Sequence, residues 1–215
     1  GFWNFKESFV VYRLRGRTGS SWRLLQRFQK EVIDSCKAGD EKAFSEIVLT
    51  YQRRVYNIAY RMLGNAEEAR DLAQEVFLSL FESIKQLREE VKFESWLIQI
   101  TINHCRNRWK YLKRRKYFNS DYLSDPIETE DGEMPRQIHD PSDNPESILE
   151  KKMIQHWIQR GLLKLEEEKK ELIVLRDLQG LSYEEIGKLF GLPEGTVKSK
   201  LHRARMELKE ILEKS

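Results

Sequence analysis

Apolar positions recur every three to four residues along most of this chain, the period that gives a helix one buried face. Ala43, Phe44, Ile47, Val48, Tyr51, Val55, Ile58, Ala59 and Met62 form the first long stripe. Gly39-Asp40 supplies a stop and a new N-cap before it, and Gly64-Asn65 does the same after it, with Glu68 three residues past the cap. The next stripe is Ala69, Leu72, Ala73, Val76, Phe77, Leu80 and Ile84. It leaves Asp71, Gln74, Glu75 and Leu78 on the opposite side, a polar face with one apolar tooth. On pattern alone that face reads as solvent-exposed. A third pattern, "KFESWLIQITINHCRNRWKYLKRR", starts aromatic and apolar and ends basic. No period-two strand with hairpin signals is present, so the predicted class is all-α.

The pattern lapses after Lys116. "DYLSDPIETEDGEMPRQIHDPSDNPE" is acidic and holds Pro126, Pro135, Pro141 and Pro145. Low apolar content with repeated prolines argues against a packed core there. The expected organisation is a helical domain over 28–116, an acidic linker over 117–145 and a smaller helical domain over 146–215. Residues 1–27 remain an unassigned extension with no functional handle.

Within the second domain, "LSYEEIGKLFGLPEGTVKSKLHRAR" stops one helix and starts another within a few residues. Ser182 and Glu185 make a capping box. Ile186 and Leu189 give the short helix its buried side. Gly191 supplies the left-handed stop, and Pro193 suits the first turn of the next helix. Val197, Leu201, Ala204, Leu208 and Ile211 then form one stripe. The remaining face carries Lys198, Ser199, Lys200, His202, Arg203 and Arg205. Two helices joined by a short glycine-containing turn, the second basic outside, define a helix-turn-helix. Such a unit places the N-terminal part of its second helix in the DNA major groove. A basic helical face alone is usually just solvated. Here cap, turn, stripe and cations agree in register, which favours DNA binding.

Composition narrows the remaining classes. The 215 residues are 40% hydrophobic and 34% charged, a soluble profile with room for one or two domains. No apolar run has the length of a membrane span and no signal-peptide pattern opens the chain, so a cytoplasmic location is expected. Two cysteines, Cys36 and Cys105, make no disulfide framework. The net charge of +3 is uninformative, but its distribution is not: Arg106 to Lys116 holds seven cations and no acid. Catalysis finds no support. His104, His139, His156 and His202 are scattered, the cysteines form no CxxC, and there is no glycine-rich phosphate loop. No enzyme activity, metal, cofactor or small-molecule substrate is expected.

The residues also resemble a known family. "GLSYEEIGKLFGLPEGTVKSKLHRARMEL" is similar to the C-terminal DNA-binding domain of extracytoplasmic-function sigma factors, of the sigma-70 family. "AGDEKAFSEIVLTYQRRVYNIAYRMLGN", "EEARDLAQEVFLSLF" and "FESWLIQITINHCRNRWK" resemble that family's first domain, in its order and spacing. The resemblance covers about Phe28 to Leu212. Gly187 stands where many members have alanine, and "KLEEEKKEL" lacks a proline often found before the motif. The resemblance implies a promoter-specificity subunit of bacterial RNA polymerase, directing initiation at a specific promoter set in a stress or envelope response. It implies docking on a coiled coil of the largest polymerase subunit through Asp71, Gln74, Glu75 and Leu78. It implies minus-ten reading by Asn103, Asn107, Arg108 and Lys110 with the preceding loop Arg88 to Phe93, where a flipped base is captured. It implies minus-thirty-five reading by Lys198, Ser199, His202, Arg203 and Arg205. The acidic linker resembles the interdomain segment that threads towards the RNA path of the polymerase. Family members are commonly held by an anti-sigma factor, which is expected as a partner beside core polymerase and promoter DNA. Trp96 has two readings, a base-stacking platform or, as its place in the apolar stripe favours, a core residue.

Two alternatives remain at this stage. One is a conventional helix-turn-helix regulator whose N-terminal helices sense a ligand or dimerise, and which binds its operator unaided. The other is a protein-binding helical module whose basic helix is merely solvated.

Overall fold

The helical periods become eight helices among the described residues. The computed structural model describes residues 30–88, 92–119 and 145–214. The expectations for the N-terminal extension, for loop positions 89–91 and for most of the acidic segment therefore lie outside the described residues. Helix α1 covers residues 30–37, α2 Glu41–Leu63, and α3 Ala66–Ser83 with a 3-10 turn at Ile84–Gln86. Helix α4 is Phe93–Asn119, α5 Pro145–Lys164 and α6 Glu167–Ile173, which runs on into a wider π-type turn, Val174–Leu178. Helices α7, Tyr183–Phe190, and α8, Glu194–Glu213, complete the set. No strand occurs among the described residues, as the missing period-two patterns predict.

Local chemistry sets the breaks where the sequence places them. The Asp40 carboxylate accepts the N–H groups of Lys42 at 2.8 Å and Ala43 at 3.4 Å. These are donors that the first turn of α2 would otherwise leave unpaired. Asn65 Oδ1 likewise accepts the Glu68 N–H at 2.9 Å and opens α3. Between them Gly64 takes φ +77°, a left-handed conformation that a Cβ disfavours. A Cβ there would also lie 2.5 Å from Leu163 Cδ1, so a larger residue would oblige that side chain of α5 to shift. Helix α4 continues through Asn119, past the last of the basic residues that end its sequence pattern. Pro145 is the first residue of α5, a position where its missing N–H removes no helical bond.

The two halves bury one continuous apolar core. Ile58, Leu72, Leu80 and Leu97 of the first half join Leu162, Leu172, Leu175, Ile186 and Leu201 of the second. Polar groups close the seam around it. Gln159, only 3% exposed, donates to the carbonyls of Tyr60 at 3.1 Å and Arg61 at 3.4 Å, and its Oε1 accepts from Arg61 Nη1 at 3.0 Å. Lys170 Nζ donates to the Met62 carbonyl at 3.3 Å. Burial pushes the Lys170 ammonium below its ordinary value, which fits a cation held by a carbonyl at a largely dry seam. Arg106 makes a two-pronged contact with Glu171, Nε to Oε1 at 2.8 Å and Nη2 to Oε2 at 2.6 Å. Glu171 is buried, so removing Arg106 alone would strand a charge at a cost of about 3–5 kcal/mol.

Candidate nucleic-acid and polymerase interface

Helices α7 and α8 are built as the capping pattern predicts. Ser182 Oγ accepts the Glu185 N–H at 3.1 Å, and Glu185 Oε2 accepts the Ser182 N–H at 2.9 Å. The turn between the helices is tight because the Leu192 N–H returns to the Gly187 carbonyl at 2.9 Å. A Cβ on Gly187 would stand 2.6 Å from the Leu192 carbonyl oxygen, which accounts for glycine at this place. Pro193 caps α8 from outside, φ −60° and ψ 148°, one residue before the predicted first turn. Val197, Leu201 and Ala204 are buried, while Leu208 and Ile211 are partly so. This stripe fixes the opposite face outward.

Lys198, Ser199, His202, Arg203 and Arg205 all lie exposed on that outer face of α8. They are not equally free. Lys198 Nζ sits 5.2 Å from the Tyr183 ring centre and 3.8 Å from Glu194. Arg205 is gripped by both oxygens of Asp177, with Nε to Oδ2 at 3.0 Å. Arg203 Nε reaches the Ser199 carbonyl, at 3.4 Å. Two residues outside the predicted set join this surface. Arg176 stacks its guanidinium 4.5 Å from the Tyr183 ring centre, on a ring that Lys198 also approaches. Tyr183 was findable as the aromatic residue after the cap. Arg176 was not, because the π-type turn shifts its phase away from the 3.6-residue period.

On α4, Asn103, Asn107 and Lys110 are exposed at i, i+4 and i+7 spacing and share one face. Arg108 turns away from them. It is half-buried, bonded to Glu68 at 2.6 Å and to Glu75. The minus-ten set therefore divides into an open strip and an arginine tied to α3. His104 reinforces that tie, its Nε2 2.9 Å from Ser79 Oγ and its Nδ1 3.8 Å from Glu75. Trp96 is half-buried against the core beside Phe93, which is itself buried. The core reading is the one its position matches.

On α3, Asp71, Gln74, Glu75 and Leu78 all face outward, with Leu78 66% exposed. Phe81, 55% exposed and packed edge-on at 5.0 Å against Phe44, extends the stripe by one more turn. Its i+3 spacing from Leu78 is the signal that marks it. Burial raises both cysteine thiols, most strongly Cys105, so neither has thiolate character. Among the described residues no cluster of histidine, cysteine and carboxylate side chains has metal-binding geometry. Among the same residues no helix is long and apolar enough to cross a membrane.

An all-α chain with an exposed amphiphilic helix face, a polar and basic helix strip and a helix-turn-helix has the parts of a transcription-initiation protein. Comparison with known proteins specifies which. The family model for Sigma-70 region 2 matches residues 47–115, and that for Sigma-70 region 4 matches residues 155–208. The ECF RNA polymerase sigma factor SigW of Bacillus subtilis (strain 168) is 35% identical over 183 residues, covering 85% of this chain and 96% of the relative. The sigma-E factor of Escherichia coli (strain K12) is 32% identical, covering 81% and 88%. The sigma factor RpoE of Bartonella quintana, solved with the anti-sigma factor NepR, superposes with a TM-score of 0.62 at 20% identity, covering 80% of this chain and 98% of that one. CnrH, solved with the cytosolic domain of CnrY, superposes with a TM-score of 0.60 at 18% identity, covering 86% and 96%. The chain belongs to the extracytoplasmic-function family of RNA polymerase sigma factors. It is a promoter-specificity subunit, and family membership makes it a non-enzymatic one.

Proposed function

We propose a division of labour along the chain. The α3 face of Asp71, Gln74, Glu75 and Leu78 docks on the coiled coil of the largest polymerase subunit. The α4 strip of Asn103, Asn107 and Lys110 reads the minus-ten element, with Arg108 joining when it leaves Glu68 and Glu75. The α8 face of Lys198, Ser199, His202, Arg203 and Arg205 reads the minus-thirty-five element as duplex. The domain boundaries follow the same division, 28–116 and 146–215. The protein works in the cytoplasm, and an anti-sigma factor controls its access to polymerase, as the NepR complex of the Bartonella relative suggests by analogy.

The observation that carries this reading is spatial order. An outward α3 face, an outward α4 strip and an outward α8 face occur on one core, in the order of the two matched regions. An apolar residue set among hydrogen-bonding groups also suits a transient protein interface. The test is a titration of core polymerase with the unaltered chain and with Gln74→Ala plus Leu78→Ala. These two positions avoid Glu75, which Arg108 and His104 engage. The double variant should bind core polymerase more weakly by about 2 kcal/mol, roughly thirtyfold, with unchanged helix content. Equal affinity would remove α3 from the interface.

A further inference from the structure

Lys198 must hold one pose if it is to tell one base from another. A lysine brings a flexible stem and no fixed fork of donors, so its own geometry supplies little of that order. Two neighbours approach its ammonium. Glu194, one turn back on α8, stands 3.8 Å from Nζ, and both ends of that pair are more than half exposed. Such a pair is weak, and it turns over with the side chain. The second neighbour is the Tyr183 ring of α7, its centre 5.2 Å from Nζ.

Tyr183 is itself mounted. It is half-buried and packs against the core. The Ser182–Glu185 capping box fixes the backbone where it enters α7. Arg176 secures the ring further. Its Nη1 donates to the Leu181 carbonyl at 2.6 Å, and its guanidinium carbon lies 4.5 Å from the same ring centre. A ring face attracts a cation through its quadrupole. It does so without taking up the donors as a carboxylate does, so the ammonium keeps its N–H groups for an acceptor on DNA. Asp177 shows the contrast, because it engages Arg205 through both of its oxygens.

We propose that Tyr183 is a positioning residue for promoter specificity: its ring, secured by Arg176, holds the Lys198 ammonium in the pose that reads a base edge of the minus-thirty-five element. The inference rests on the assignment of Lys198 to that element.

The test uses holoenzyme formed with the full chain, transcribing a library randomised over the minus-thirty-five element. Lys198→Ala defines the position that Lys198 reads. Tyr183→Leu should relax the preference at that same position about threefold, the size of an exposed cation–π contact. The other positions of the element and the minus-ten motif should stay as they were. Tyr183→Phe, which keeps the ring, should retain the preference. Tyr183→Leu added to Lys198→Ala should change nothing further at that position. A merely structural role would instead weaken every position of the element alike. A second measurement needs no ring deletion. Lysine amines of the full chain are given isotope-labelled methyl groups, and the resonance missing from Lys198→Arg is assigned to Lys198. The ring current of Tyr183 should shift it upfield in the unaltered chain and in Tyr183→Phe. Uniform weakening by Tyr183→Leu overturns the proposal, as does an equal loss in Tyr183→Phe, a further change on top of Lys198→Ala, or an unshifted Lys198 resonance. If Lys198→Ala alters no position of the element, its assignment to base reading fails and the positioning with it. If Lys198→Ala alters one and Tyr183→Leu does not, the positioning alone fails.

Discussion

Glu185 shows how much one side chain carries. Its Oε2 accepts from the Ser182 N–H and hydroxyl, and its Oε1 lies 3.4 Å from Ser95 Oγ and 3.5 Å from Lys92 Nζ of the other half. The first of these, the Ser182 N–H, holds the carboxyl below its ordinary value of 4.5. The unfolded chain therefore takes up this proton first as pH falls. The stabilisation is whole above about pH 4.5 and disappears as pH drops through the depressed folded value. Glu185→Ala should lower stability by about 1 kcal/mol at neutral pH, and thermal melts should find that gap narrowing as pH falls below the ordinary value. A gap independent of pH would mean that the side chain acts by packing and not by charge. The box itself was legible in the sequence, because Ser182 and Glu185 stand at the spacing that reciprocal capping demands. The bonds to Ser95 and Lys92 were not, because nothing in a local pattern names a partner ninety residues away.

At the scale of helices, periodicity was most informative where one face is buried and the other is not. The Val197–Leu201–Ala204 stripe turned the cations of α8 outward, and the structure has them there. Periodicity carried no information on which cations are engaged. Arg205 reads as a free phosphate contact until Asp177 is seen holding it, and Arg108 as a free DNA contact until Glu68 and Glu75 are. The π-type turn and the one-residue shift of Pro193 also escaped, since both depend on backbone bonds that period counting does not register. Lys198 and Arg203 nonetheless separate by depth along α8. Early residues of such a helix lie nearest base edges. Lys198→Ala should cost about 1–3 kcal/mol on the preferred minus-thirty-five duplex and relax the preference at one position. Arg203→Ala should weaken all duplexes alike and reduce the salt slope by about one. Binding of the holoenzyme to a panel of minus-thirty-five variants over a salt series separates the two. A changed consensus with Arg203→Ala would reverse the assignment.

For the whole molecule, the two regions were visible as two blocks of pattern divided by an acidic, proline-bearing segment. Their close packing was not. Gln159, Lys170 and Glu171 are polar residues in helical sequence and would ordinarily face solvent, yet each is buried at the seam. Gly64, legible as a helix stop, also admits Leu163 from the other half. Contacts of this kind depend on how the blocks meet, and a period within one block says nothing about that. The central claim is that one chain reads two separate promoter elements with two different helices. Its most direct test is transcription of a randomised promoter library by core polymerase with the unaltered chain, Asn103→Ala or Lys198→Ala, followed by sequencing of the initiating templates. Two motifs should emerge, separated by a spacer. Asn103→Ala should relax the downstream motif alone, and Lys198→Ala the upstream motif alone. Relaxation of the same motif by both substitutions, or initiation that does not depend on the chain, would contradict the account.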